Sequence, residues 1–111
     1  MNYNKKIYFV VFAILIFSNI LYSADNSAPI FSGIKTATDL QTGKKVYLSW
    51  DAANDASLPI TYKIYYSTQA GTLYYLTNTQ SLYYSVSGLK DSTTYYFRVN
   101  AQDAAIPTSN T

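Results

Sequence analysis

The run Tyr95–Ala101, YYFRVNA, constrains this chain more than any other stretch. Two tyrosines stand side by side, and then Phe97, Val99 and Ala101 alternate with Arg98 and Asn100. A strand sends neighbouring side chains to opposite faces, so this order makes one dry face and one wet face. Tyr95, Phe97, Val99 and Ala101 share the inward side. Tyr96, Arg98 and Asn100 share the outward side. A buried tyrosine needs a partner for its hydroxyl, and a backbone group in the turn just upstream can supply one.

The same period recurs along the chain. In KVYLSW, Val46, Leu48 and Trp50 oppose Tyr47 and Ser49. In ITYKIYYS, Tyr62, Ile64 and Tyr66 oppose Lys63 and Tyr65. LYYSVSGL puts Tyr84 and Val86 on one face, and TLYYLT is short and rich in strand formers. Ile30, Ile34 and Ala37 are the apolar positions of a first, edge-like strand that follows Pro29. Turn residues separate these runs: Gly43, the Asp/Asn-rich DAANDASLP, Gly71, NTQS and KDS. About six short strands at close spacing, with no credible helix among them, predict an all-β sandwich or barrel.

The N-terminus has to be set aside first. MNYNKK is basic, Ile7–Tyr22 is an apolar block, and SAD follows, which is the layout of a secretory signal peptide. The block is shorter than the roughly 20 residues a membrane-spanning helix needs. Cleavage after Ala24 leaves bulky Tyr22 three positions before the cut, and cleavage after Ser23 leaves Leu21 there. An uncleaved anchor is the alternative, and it is the only route by which a membrane enters this reading. The expected organisation is therefore a signal peptide over 1–24, a linker over 25–29 and one domain over 30–111, secreted or held at the cell surface.

Residues 25–111 carry six cations and six aspartates, so the net +2 of the whole chain comes from Lys5 and Lys6. A neutral, sparsely charged domain lacks the basic face that nucleic acid requires. With no cysteine, the thin core of so small a domain has to be stabilised by packing alone. Large aromatic rings, each burying about 150–250 Å², are one way to do so.

These runs together resemble a fibronectin type III domain. The resemblance rests on Trp50 ending the second strand, Tyr62-x-Ile64-x-Tyr66 in the third, Gly88-Leu89 before the corner, and Tyr95-x-Phe97-Arg98-Val99-x-Ala101. It covers nearly everything after Pro29. It implies an immunoglobulin-like sandwich of two sheets, with strands near 30–38, 45–51, 60–67, 72–77, 82–87 and 94–102. It also implies a core built from Trp50, Tyr62, Ile64, Tyr66 and Tyr84, with Val86, Leu89, Tyr95, Phe97 and Val99. The family's usual Pro-Gly in the corner turn is here Asp91-Ser92. Only DAAIPTSNT follows the sixth strand, so the seventh is expected to be absent or barely begun. A longer parent chain, a domain that is stably short, and a strand donated by a partner are the three readings of that gap.

No catalytic constellation is present. The chain has no His, Cys or Glu, which removes the usual general base, the thiol nucleophile and the common zinc ligands. Asp51 and Asp55 share a loop without the acidic spacing of a dedicated calcium site. No enzyme activity, cofactor or metal is expected. Surface chemistry is what remains. If the third and sixth strands are neighbours, Tyr65 and Tyr96 lie near each other on the outer face, flanked by Lys63 and Arg98, with Tyr74 or Tyr75 extending the row. Such a row can hold a protein or a glycan, or it can be plain cross-strand pairing. The expected role is a non-catalytic interaction or spacer module. The alternative is an accessory domain at the N-terminus of a longer exported enzyme such as a polysaccharide hydrolase.

Overall fold

The computed structural model describes residues 24–105 and 109–111, so the signal peptide expected over 1–24 lies almost wholly outside the described residues. Six strands form: β1 (Ile34–Asp39), β2 (Val46–Trp50), β3 (Thr61–Ser67), β4 (Tyr74–Thr79), β5 (Tyr83–Val86) and β6 (Tyr96–Gln102). They make two antiparallel sheets, ordered β1-β2-β5 and β4-β3-β6. No helix occurs among the described residues. The all-β, two-sheet reading of the sequence is what is observed.

The alternation delivers the core. Leu48 and Ile64 have no exposed surface, and Trp50, Tyr62, Val86, Leu89 and Val99 are buried around them. Tyr62 lies 5.5 Å from Trp50, centroid to centroid, and 5.5 Å from Phe31, in tilted contacts that suit aromatic quadrupoles. Trp50 buries its indole Nε1–H without an acceptor, so it contributes through packed area alone. Tyr84, Tyr95 and Phe97 are only partly buried and pack against the rim of this cluster, whereas Tyr66, expected in the core, is half-buried and stacks on Tyr95 instead. Tyr95 stacks between Tyr66, 6.5 Å away, and Phe97, 6.3 Å away.

Two tyrosine hydroxyls pin turns. The Lys90 N–H donates to the Tyr95 hydroxyl at 2.9 Å, which is the corner expected from the sequence. The Ala53 N–H donates to the Tyr62 hydroxyl, also at 2.9 Å, and ties the β2–β3 loop to the core. In the corner turn Ser92 sits at φ 52°, in the left-handed region that favours glycine. This is where the family's usual glycine would have fitted without strain.

The first strand departs from expectation. It begins at Ile34 rather than residue 30, and Ile30 is 76% exposed, joined only by a bridge to Asn54. Ala37 pairs with buried Leu48 and so shares its inward side of the sheet, yet it is exposed. An apolar residue at an inward position is buried only where a second layer covers it, and none of the described residues does so there. At the other end, the Asp103 N–H donates to the Asn110 carbonyl at 2.9 Å, so the chain has turned back and started a hairpin. The last strand is partial.

Ser92→Gly is expected to stabilise the domain by about 0.5–1 kcal/mol, because the left-handed cost of a side chain outweighs the flexibility of glycine. Tyr62→Phe, which leaves the partly buried Ala53 N–H without an acceptor, is expected to cost about 1 kcal/mol. Urea midpoints of both variants against the parent check the two signs.

Candidate functional site

The outer face of β4-β3-β6 gathers the surface residues singled out in the sequence. Register does the gathering. Tyr65 pairs with Arg98 on one side and Tyr75 on the other, and Lys63 pairs with Asn100 and Asn78. Tyr65 and Tyr75 meet edge to face, with centroids 5.7 Å apart. The Asn78 amide donates to the Tyr75 hydroxyl at 2.7 Å and fixes that ring in place. Tyr75 is 52% exposed and Tyr96 42%.

The structure chooses between the two β4 tyrosines. The pairing slips by one residue between Ile64 and Tyr65, a bulge that leaves Leu76 unmatched. Tyr75 therefore lands opposite Tyr65 on the outer face, and Tyr74 lands opposite Tyr66 on the other. Tyr96 sits across from Ser67, one diagonal step from Tyr65, and the ring that Tyr65 touches is Tyr75. The row is thus Tyr75, Tyr65, Arg98, with Tyr96 beside its cationic end.

Charge is distributed unevenly around this face. Lys35 pairs with Asp51 at 3.1 Å and Lys44 with Asp91 at 3.4 Å, both exposed. Among the described residues, neither Lys63 nor Arg98 has an acid at ion-pair distance, and no carboxylate lies on the paired outward positions of β3, β4 or β6. Rings, amides and two free cations make a platform for stacking and hydrogen bonding.

The acids collect elsewhere, in a group the sequence reading missed. Asp25, Asp55 and Asp103 bring carboxylate oxygens within 4.8 Å of one another, and they are the residues here that could together face a cation. Asp51, read alongside Asp55 in the sequence, instead faces Lys35. Hydrogen bonds already occupy the three acids. Asp25 accepts from the Ser57 hydroxyl, Asp55 from the Ser57 N–H, and Asp103 from the backbone and side chain of Asn110. The Asn110 amide also reaches the Asp25 carbonyl at 3.1 Å, which ties residue 25 to the segment that follows β6. The Ser57 hydroxyl bond, helped by the Ser27 N–H, lowers the Asp25 carboxyl below its ordinary value. Burial would raise Asp103, but the bonds from Asn110 and Ala105 outweigh it and hold that carboxyl low as well.

The model of the fibronectin type III domain matches residues 34–111. The chain belongs to the fibronectin type III family. A human structure, the sixth fibronectin type III domain of fibronectin type III domain containing protein 3, superposes with a TM-score of 0.59 at 18% identity, covering 80% of this chain and 81% of that one. At that identity the likeness speaks for the fold alone. No curated protein matches this chain. Fibronectin type III domains are typically non-catalytic and commonly mediate protein interactions, usually outside the cell.

The two depressed carboxyls give a pH dependence with a definite sign. The unfolded chain takes up protons near the ordinary value of 3.8, above the folded value. Their contribution is complete above that value and is lost as pH falls through the folded one. Melting temperature should therefore decline as pH drops below about 4, and the decline should be shallower in Asp103→Asn. Thermal melts of both proteins between about pH 2 and 6 test this.

Proposed function

We propose that this domain is exported and works outside the cytoplasm as a non-catalytic interaction module, using the outer face of β4-β3-β6 to hold a protein or a glycan. The carrying observation is the acid-free platform of Tyr75, Tyr65 and Arg98, with two cations that have no acidic partner among the described residues. Aromatic rings and arginine dominate interface energetics because they offer large rigid area and directed hydrogen bonds. Tyrosines placed only to pair across strands would need no cation beside them. Export is supported by the basic start, the apolar block and the small polar residues that follow it, and by the usual setting of the family.

Two measurements test this reading. Expressed in an exporting host, the chain should be recovered outside the cytoplasm with residues 1–23 or 1–24 removed, as read by intact mass. Recovery only inside the cell, with Met1 retained, would remove the export half. For binding, Tyr65→Ala combined with Tyr75→Ala should reduce affinity by about tenfold or more for whichever purified glycan or surface protein an array identifies. The fold should survive, since an exposed cross-strand pair contributes about 0.2–1 kcal/mol. Equal binding by the double variant would take the face out of the proposal.

A further inference from the structure

The two outer faces of the sandwich carry different chemistry. On β1-β2-β5 the pairing puts six residues outward in two rows across the sheet: Thr38, Tyr47 and Ser85, then Thr36, Ser49 and Tyr83. They alternate with Leu48, Trp50 and Val86, which are buried, so they lie on the outer side. Every one of the six ends in a hydroxyl, and none carries a charge. Tyr47 and Tyr83 stand diagonally across β2 and β5 and stack, with centroids 5.8 Å apart and planes 23° apart. Tyr83 is 56% exposed, and Thr36, Thr38 and Ser85 are exposed as well. The Thr36 and Ser49 hydroxyls hydrogen-bond to each other, which fixes how those two are oriented. None of these residues lies on the sheet that holds β6.

Charges at the margins of this face are paired or drawn into a turn. Lys35, at the register slip of β1, pairs with Asp51 at 3.1 Å. Lys44 pairs with Asp91 at 3.4 Å. Lys45, just before β2, lays its stem over Gly43, where a β-carbon placed on the glycine meets it at 3.3 Å. A charged ligand laid on the six hydroxyl residues would lose hydration without gaining a counter-charge. Nucleic acid and anionic lipid surfaces are unsuited for the same reason. A protein partner fits poorly too. Serine and threonine are under-represented among the residues that dominate protein interfaces, and the six positions hold no arginine, methionine or aliphatic side chain. A second copy would only bring the same hydroxyls to each other.

We propose that the outer face of β1-β2-β5 binds an uncharged polysaccharide, independently of the β4-β3-β6 face. A sugar ring has an apolar C–H side and a rim of hydroxyls. The Tyr47–Tyr83 pair offers aromatic surface to the first. The serine and threonine hydroxyls around it meet the second. Each such group carries one donor and two acceptor positions and rotates to suit its partner, so it adapts to either role along a polyhydroxyl chain. Hydroxyls also cost far less to desolvate than ions. Three strands about 4.8 Å apart make a face roughly 10 Å across, which a short run of sugar units covers. Because no ion pair is made, the binding is insensitive to salt.

The probes are soluble, uncharged polysaccharides: a β-glucan, an α-glucan and a mannan. Titration of the isotope-labelled full chain with each, followed by amide chemical shifts, reads affinity and location together. At least one of them should move the amides of Thr38, Tyr47, Tyr83 and Ser85 and leave β3, β4 and β6 still. Its affinity should be the same in about 0.05 M and about 0.5 M NaCl. Tyr83→Ala combined with Ser85→Ala, both exposed changes, should weaken it by about tenfold or more. Tyr65→Ala combined with Tyr75→Ala, on the other sheet, should leave it unchanged. The shift map needs no variant, so it decides the location even where a substitution unfolds the domain. The proposal is overturned by silence with all the probes, by shifts confined to β3, β4 and β6, by an affinity that falls with salt, or by full binding in a folded Tyr83/Ser85 variant.

Discussion

The domain is organised around the ring of Tyr62. It touches Trp50 of the opposite sheet and Phe31 of the entering segment, and its hydroxyl takes the Ala53 N–H of the longest loop. One side chain thus joins both layers, the N-terminal approach and the β2–β3 connection. A cystine-free sandwich of this size has little apolar area to spare. An aromatic residue serves such a core well, because it supplies a large buried body and a polar tip that can satisfy a backbone group. Tyr95 repeats the device at the other end with the Lys90 N–H.

Polar chemistry is sorted around that core. One pole collects Asp25, Asp55 and Asp103 under hydrogen bonds from serine and asparagine. The β4-β3-β6 face collects rings, amides and two cations. A domain with no net charge can therefore present surfaces of distinct character. Such sorting bears on which partners approach and how they orient, rather than on the fold itself.

Much of this was legible in the sequence, and the exceptions have physical causes. Period-two alternation placed Trp50, Tyr62, Ile64 and Val99 inside, and burial agrees. The corner hydroxyl of Tyr95 was legible because it is a local contact, five residues long. Tyr74 and Tyr75 were indistinguishable, since their assignment depends on a one-residue bulge that no side-chain pattern announces. Ala37 looked like core because alternation reports the side of a sheet and is silent about whether anything covers it. The acidic pole was invisible for a different reason: it assembles residues 25, 55 and 103, which are distant in sequence and become neighbours only through the topology.

The clasp between Asp25 and Asn110 has a mechanical meaning. It brings the first and last parts of the described chain to the same pole, held by a few polar bonds. Tension drawn between those two points loads the clasp before it loads any strand ladder.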